Sequence, residues 1–378
     1  MKKIDVDTVR FLDIVKPAIS IEKAQKILND LYGFSGKLKP LDSEWDVNFH
    51  VIAVDGRQFL LKISNDEEAL DTINFENAAL AHIARTRPAL PVPRLLNTTG
   101  GCDIGSTYAA SGVEHKVRLL TFLPGITLAD VARTDTLVFN QGKIAAEMAL
   151  ALQGFFHPAA KSRQLLWDIR EVGTLRPIAE KIVNPDTRAL ILGIIENFER
   201  VIKPGLDQLR VQIAHMDLSR YNMVVADPDS EIVSGIIDFG DMHHGPLIQD
   251  VAIAVADIMQ PEPAPYSKAR HFLRGYHHVL PLQMKEIALL YDLVRVYLVT
   301  YYLILIRRGI TYDIAAQDDV LALIENLTHR GYETVTDLFC EACYPPHPQG
   351  VATTVEVLEE GLKDHLACSN GTTKGVKI

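Results

Sequence analysis

Residues 215–222 read His-Met-Asp-Leu-Ser-Arg-Tyr-Asn, and residues 236–241 read Ile-Ile-Asp-Phe-Gly-Asp. The two stretches place two aspartates and an asparagine at short, fixed separations beside apolar runs that are typical of strands. Such a layout is typical of phosphoryl transfer, in which the protein orients a hydroxyl group and neutralises charge with lysine and magnesium. The pattern predicts Asp217 as the general base, and Asn222 and Asp238 as oxygen ligands of Mg²⁺.

The chain between these stretches explains how the three side chains could converge. Residues 224–225 and 232–237 read as two short strands, and Asp-Pro-Asp-Ser at 227–230 is a turn signal between them. A hairpin would return Asp238 to the end at which the preceding loop delivers Asn222. His215 is expected to brace that loop by hydrogen bonds rather than to touch substrate.

A β-rich region is predicted upstream, where a kinase grips its nucleotide. Lys62 is the lone charged residue of an apolar strand, and burying an ammonium without a partner is costly. Glu76, on a helix over about residues 67–86, is the expected partner, so that both residues would position nucleotide phosphates. The alternative is a lysine that extends from an edge strand to water. The three strands are expected at residues 37–41, 49–54 and 58–63.

The loop at residues 42–48 contains no glycine, so it differs from the phosphate loop of protein kinases. Its backbone amides or the hydroxyl of Ser43 are candidates to cover phosphates. Leu-Pro-Gly at 123–125 is expected to be a hinge whose backbone binds the nucleotide base, which leaves ATP and GTP equally open as donors.

These residues resemble the aminoglycoside phosphotransferase and choline kinase superfamily of small-molecule kinases. The resemblance runs from about residue 30 to about residue 260, and it rests on the strand at 60–63, the loop at 215–222 and Asp238. Asn-Phe-His-Val at 48–51, together with the stretch at 234–241, looks most like hydroxylysine kinases and somewhat less like type-II homoserine kinases. Met216 departs from the pattern, since many relatives carry glycine or alanine there.

The resemblance implies an α+β, bilobal protein-kinase-like fold. A small antiparallel β-sheet lobe at residues 1–123 would grip the nucleotide, and a mainly helical lobe at 124–378 would hold the catalytic and acceptor-binding residues. It also implies the same roles for Asp217, Lys62 and the other residues assigned above. Asp250 resembles a superfamily aspartate that helps to fix the catalytic loop, although a charge in the first turn of a helix is favourable by itself.

Composition limits the possible partners and location. The formal net charge of −10 argues against a nucleic-acid partner, because binding to phosphate backbones needs a basic surface. The start of the chain has no apolar signal region, and four scattered cysteines do not form a disulfide framework, so a cytoplasmic protein is expected. The apolar stretch at 289–306 is long and apolar enough to resemble a membrane-spanning helix. Asp292 and Arg295 share one of its faces, however, which favours a buried helix.

The acceptor is expected to be a small molecule, because the short segment after Gly240 has no room to dock a protein substrate. Asp241, Asp257, Arg295 and the tyrosines between residues 291 and 302 are candidates to bind it. The best candidate acceptor is 5-hydroxylysine; homoserine, choline-like amines and aminoglycosides are alternatives, as is a silent nucleotide-binding module. The oligomeric state is not predicted.

Overall fold

The computed structural model describes residues 16–161, 163, 165–308 and 314–345. The N-terminal stretch used to predict location and Cys368 lie outside these ranges. Within them, the predicted α+β class, with an antiparallel sheet toward the N-terminus and helices beyond it, is confirmed.

The strands are β1 (Gly36–Leu41), β2 (Val47–Ala53), β3 (Gln58–Ile63), β4 (Leu95–Leu96), β5 (Gly105–Tyr108), β6 (Glu114–Thr121), β7 (Ile126–Thr127), β8 (Val211–Ala214), β9 (Met223–Val225), β10 (Val233–Ile236) and β11 (His243–Pro246). The α-helices are α1 (Ile21–Tyr32), α2 (Leu70–Thr86), α3 (Asp135–Ala151), α4 (Arg176–Ala179), α5 (Pro185–Asn197), α6 (Leu247–Ile258), α7 (Pro265–Val279), α8 (Met284–Arg307), α9 (Ile314–Arg330) and α10 (Tyr332–Cys343).

A six-stranded antiparallel sheet carries the N-terminal core. Its strands lie in the order β1-β2-β3-β6-β4, and β5 pairs with the first half of β6. Helix α1 begins after Ser20, whose hydroxyl accepts a hydrogen bond from the amide of Lys23, and it ends at Gly33 in the left-handed conformation. The helix and the sheet share one apolar core, to which α1 contributes Ala24, Ile27, Leu28 and Tyr32.

A second, three-stranded sheet has β9 between β7 and β10. The predicted hinge leads into it at Gly125, whose φ is 154° and where a Cβ would clash with the carbonyl oxygen of Val225. Only glycine fits this close approach without a shift of the backbone. The chain can therefore turn from β6 into β7 and pair at once with β9.

The chain divides into two compact units, which we call the sheet unit and the helical unit. The sheet unit comprises residues 1–132, 151–163 and 220–243, and the helical unit comprises residues 133–150, 164–219 and 244–378. The predicted boundary at 123/124 does not coincide with this division. The reason is the antiparallel pairing of β7 with β9 and of β9 with β10, which ties residues 220–243 to the sheet unit.

Helix α8 is the central helix of the helical unit, where it packs against α6, α9 and α10. By length and composition alone it could cross a membrane, but 72% of its most apolar stretch is buried inside the protein. Asp292 and Arg295 lie on it with a 3.6 Å separation between carboxylate and guanidinium atoms. These contacts agree with the predicted buried core helix.

Candidate active site

The loop that carries Asp217 follows β8 in the helical unit. His215 and Met216 are buried, whereas the side chain of Asp217 is half-exposed. The amide of Met216 donates a 2.8 Å hydrogen bond to Oδ1 of Asp250, in the first turn of α6. This bond is the contact that the predicted supporting role of Asp250 requires. Burial raises the pKa of Asp250 to about 7, and the hydrogen bond from Met216 opposes that rise.

Met216 adopts a left-handed backbone conformation, with φ of 63°. Its side chain packs against Ala214, Ile253 and Tyr297, so it points into the apolar interior of the helical unit. A left-handed conformation costs a residue with a Cβ about 1–2 kcal/mol. In this chain the packing of Met216 offsets part of that cost.

The two predicted metal ligands lie close together in the sheet unit. Asn222 immediately precedes β9, Asp238 follows β10 by two residues, and Ile236 pairs with Met223 in the ladder. The amide of Ile237 donates a 2.9 Å hydrogen bond to the carbonyl oxygen of Asn222. The hairpin therefore brings Asn222 and Asp238 to one end of the small sheet, as the sequence predicts.

Asp238 is exposed and has a positive φ of 59°. One of its carboxylate oxygens, Oδ1, accepts a 3.1 Å hydrogen bond from the amide of Gly240. Residues held in strained backbone conformations concentrate at functional sites. Among the described residues other than glycine, only Met216 and Asp238 have positive φ, and both lie in the two stretches with which the sequence predicts catalysis.

The donor set at this end of the sheet fits Mg²⁺. Magnesium is usually bound by one or two protein oxygen ligands, with water and phosphate completing the shell, and Asn222 and Asp238 supply those two. Burial and the negative charge of Asp238 raise the pKa of Asp241, so a cation at this site would relieve repulsion between carboxylates. The described part of the chain has no cluster of three or more His, Cys, Asp and Glu able to hold a metal alone.

Lys62 lies on β3 and forms a 3.1 Å ion pair with Oδ2 of Asp46. Asp46 is buried, and its Oδ1 also accepts hydrogen bonds from the amide and the side chain of Asn65, at 3.0 and 3.1 Å. Burial alone would lower the pKa of the Lys62 ammonium. The charges of nearby carboxylates outweigh burial and raise that pKa above its usual value; in decreasing order of influence they are Glu76, Asp46 and Asp238.

The direct partner predicted for Lys62 differs from the one in the structure. Glu76 is buried and forms a 2.8 Å ion pair with Arg118, which also donates to Asn77. Arg118 lies directly opposite Lys62 in the pairing of β3 with β6. Glu76 thus remains close enough to act on Lys62 electrostatically, while Asp46 holds the lysine directly. Asp46 and Arg118 are not among the predicted site residues.

The remaining predicted residues have diverse surroundings. Ser43 is half-buried in the loop between β1 and β2. Asp241 lies in the sheet unit, where burial and the negative charge of Asp238 raise its pKa. Asp257 is buried at the end of α6, and its carbonyl oxygen accepts from Arg133. Arg295 pairs with Asp292 on its own helix and donates to Thr328 of α9, which favours a structural role.

Comparisons with known proteins show the family and the fold. A family model described as a phosphotransferase enzyme family matches residues 37–287. The chain is 29% identical over 301 residues to hydroxylysine kinase from Mus musculus, covering 74% of this chain and 80% of that protein. It is 24% identical over 260 residues to homoserine kinase from Methylobacillus flagellatus, covering 68% and 75%. The solved structure of amicoumacin kinase hAmiN, in complex with AMP-PNP, Ca²⁺ and its ligand Ami, shares the fold, with a TM-score of 0.60, 16% identity and coverage of 84% and 93%.

Proposed function

Because this chain belongs to the phosphotransferase enzyme family and is a kinase of hydroxyl-bearing small molecules, we propose that its acceptor is an amino acid, 5-hydroxylysine, and its donor is ATP or GTP. The observation that carries the proposal is the placement of Asn222 and Asp238 at one end of the small sheet, in the unit that also holds the ion-paired Lys62. The 29% identity to a hydroxylysine kinase supports the choice of acceptor.

In the proposed reaction, Asp217 orients the acceptor hydroxyl and takes its proton. The hydroxyl oxygen forms a bond to the γ-phosphorus while the bond from that phosphorus to the β–γ bridging oxygen breaks, which leaves ADP or GDP. Lys62 neutralises charge on the phosphates, and Glu76 and Ser43 are the further residues assigned to the nucleotide. Asn222 and Asp238 would hold Mg²⁺, which when bound neutralises charge on the nucleotide. His215 and Asp250 support the loop.

The nature of the partners follows from the same site. The acceptor is a small molecule, and the acidic net charge gives no basis for a nucleic-acid partner. We place the protein in the cytoplasm, where ATP and GTP are available. Homoserine remains the second candidate acceptor, since a homoserine kinase is among the similar proteins.

A panel of acceptors tests the proposal, with release of ADP or GDP as the measurement. We expect saturable turnover with 5-hydroxylysine, and none with homoserine, choline or an aminoglycoside. Saturable turnover with homoserine alone would replace the proposed acceptor. Lack of turnover with every acceptor would favour a silent nucleotide-binding module.

The variant Asp217→Asn provides the control for this panel. It should lower kcat by orders of magnitude while nucleotide binding stays near normal, because the amide cannot take the proton. Unchanged turnover in this variant would refute the role of Asp217.

A further inference from the structure

A segment of the helical unit is fixed beside the catalytic loop by a buried polar network. Asp168 accepts hydrogen bonds from Arg170 at 2.6–2.9 Å and from Nε2 of Gln249 at 3.1 Å. Gln249 precedes Asp250, the residue that holds the amide of Met216. A Cβ built on Gly245 would lie within 3.5 Å of Met216, Gln249 and Arg170, so these side chains converge at one point. The network therefore ties the segment 167–170 to the same helix that supports the loop of Asp217.

Trp167, at the start of this segment, belongs to a row of aromatic rings. Its ring centroid lies 6.1 Å from that of Tyr301, which in turn lies 6.4 Å from that of Tyr297, with the two tyrosine rings 12° from parallel. All three side chains are half-buried. Tyr297 also packs on the cluster that contains Met216. One end of the row thus adjoins the residue before the predicted general base.

Arg308 lies at the other end of the row. Its guanidinium carbon is 5.4 Å from the ring centroid of Trp167, a cation–π distance. Tyr297 and Tyr301 lie on α8, and Arg308 is the residue that caps its C-terminus. Their separations of four and seven residues keep the three on one side of the helix. Tyr297 and Arg308 are about 16 Å apart along the helix axis at 1.5 Å per residue, and the long arginine side chain shortens the distance between the functional groups.

The row therefore combines three chemical features: one end packs beside the loop of the predicted general base, its aromatic faces attract cations, and its guanidinium suits a carboxylate. An amino acid with an extended side chain presents matching groups, namely a hydroxyl at one end, a carboxylate at the other and an ammonium between or beside them. Homoserine has no side-chain ammonium that could lie on the aromatic rings.

We propose that Trp167, Tyr297 and Tyr301 form the wall of the acceptor site, with the ammonium of an extended hydroxyamino acid on the aromatic rings and its carboxylate paired with Arg308. This inference rests on the proposed function and adds to it the residues that select the acceptor. It replaces Asp257 and Arg295 as the predicted acceptor-binding residues of the helical unit.

Fluorescence tests the wall without requiring turnover. The chain has two tryptophans, so Trp45→Phe leaves Trp167 as the sole tryptophan reporter. Titration of this variant with 5-hydroxylysine or lysine should change the emission saturably. Norleucine, which lacks the side-chain ammonium, should bind about tenfold more weakly. An equal response to lysine and norleucine, or no response to 5-hydroxylysine, would overturn the wall.

Kinetics test the guanidinium, with a matched control in the same unit. Arg308→Gln should raise the KM for 5-hydroxylysine about tenfold and leave the KM for the nucleotide unchanged. Arg330→Gln removes a comparable cation–π pair, in which the guanidinium lies 4.2 Å from the ring of Tyr266, and should leave both KM values unchanged. Equal effects of the two substitutions would refute the assignment of Arg308.

The two proposals can fail separately. A saturable response of Trp167 to cationic amino acids without any turnover would keep the wall and reject the proposed reaction. Turnover of 5-hydroxylysine without any response of Trp167 would keep the reaction and reject the wall.

Discussion

Met216 and Asp238 show how single residues store backbone strain beside the predicted chemistry. Their positive φ values place each Cβ close to its own backbone, which glycine would avoid. Met216 retains a side chain that packs in the interior, so the strain and the packing act on stability in opposite directions. Met216 precedes Asp217, and Asp238 carries its own carboxylate. Each of these two carboxylates must point in one direction for phosphoryl transfer.

Substitutions at Met216 separate these two effects. Met216→Ala loses the packing but keeps the strain, and should lower the free energy of unfolding by about 2–5 kcal/mol. Met216→Gly loses the same packing and relieves the strain, so it should be about 1 kcal/mol more stable than Met216→Ala, after the greater freedom of glycine in the unfolded chain is subtracted. Urea unfolding measures both variants. If the alanine variant is the more stable one, position 216 is not strained.

Asp46 is the residue whose role the sequence did not predict. Asp46→Asn removes the negative charge nearest Lys62 while it keeps an oxygen that Asn65 can reach. We expect kcat/KM for the nucleotide to fall by about tenfold, because one charge-assisted contact no longer orients the ammonium. The matched control is Asp55→Asn, which breaks an exposed pair with Arg57 and should leave kcat/KM unchanged. A similar loss in both variants would argue against a specific role of Asp46.

Asp250 makes stability depend on pH. Its pKa is raised by burial to about 7 in the folded protein, so between about pH 4 and pH 7 the folded state binds the extra proton. The stabilisation that this proton gives is therefore complete below pH 4. The free energy of unfolding then falls by up to about 1.4 kcal/mol per pH unit as the pH rises toward 7. Asp250→Asn mimics the protonated carboxyl, so its free energy of unfolding should exceed that of the native protein at pH 8 and approach it at pH 5. Parallel pH profiles for the two proteins would contradict this assignment.

At the level of elements, α3 and α7 approach each other through glycine. A Cβ added at Gly142 would clash with the carbonyl oxygen of Phe272, and one added at Gly275 would clash with the carbonyl oxygen of Phe139. The two helices can therefore pack backbone against backbone only because both positions lack a side chain.

Alanine substitutions test this close helix contact. Gly142→Ala and Gly275→Ala should each lower the free energy of unfolding by about 1–3 kcal/mol through overpacking. Gly193, inside α5, has open space around its missing Cβ, so Gly193→Ala should instead stabilise by about 0.5–1 kcal/mol. Thermal unfolding compares the three variants. If Gly193→Ala is destabilised as much as the other two, the close contact between α3 and α7 is not the cause of their loss.

The elements also show how far local sequence could predict this fold. Strand β3 has the predicted bounds, because strand patterns and turn signals act between neighbours in the chain. The hairpin of β9 and β10 follows from its turn residues in the same way. The pairing of Glu76 with Arg118 could not be predicted, since it depends on the register of β3 against β6, strands that are about 55 residues apart.

At the level of the whole molecule, nucleotide and metal should bind as a linked pair. The sheet unit holds Lys62 among several carboxylates, so a triphosphate needs a divalent cation to offset the repulsion. ATP with Mg²⁺ at about 100 times its Kd should stabilise the protein by about 2.7 kcal/mol, whereas ATP with EDTA should stabilise it much less. Asp238→Asn should abolish the difference. The measurement is Tm, and a shift that is equal with and without Mg²⁺ would contradict the assigned ligands.

The composition of the sheet unit from three stretches of chain has a practical consequence for building chimaeras between related kinases. Phe155, from the middle stretch, stacks on Phe75 of α2 with ring centroids 6.0 Å apart, and the third stretch supplies β9 and β10. An exchange of residues 1–123 alone would leave both of these partners from the other parent. Crossovers that transplant donor specificity intact must therefore carry residues 1–132, 151–163 and 220–243 together.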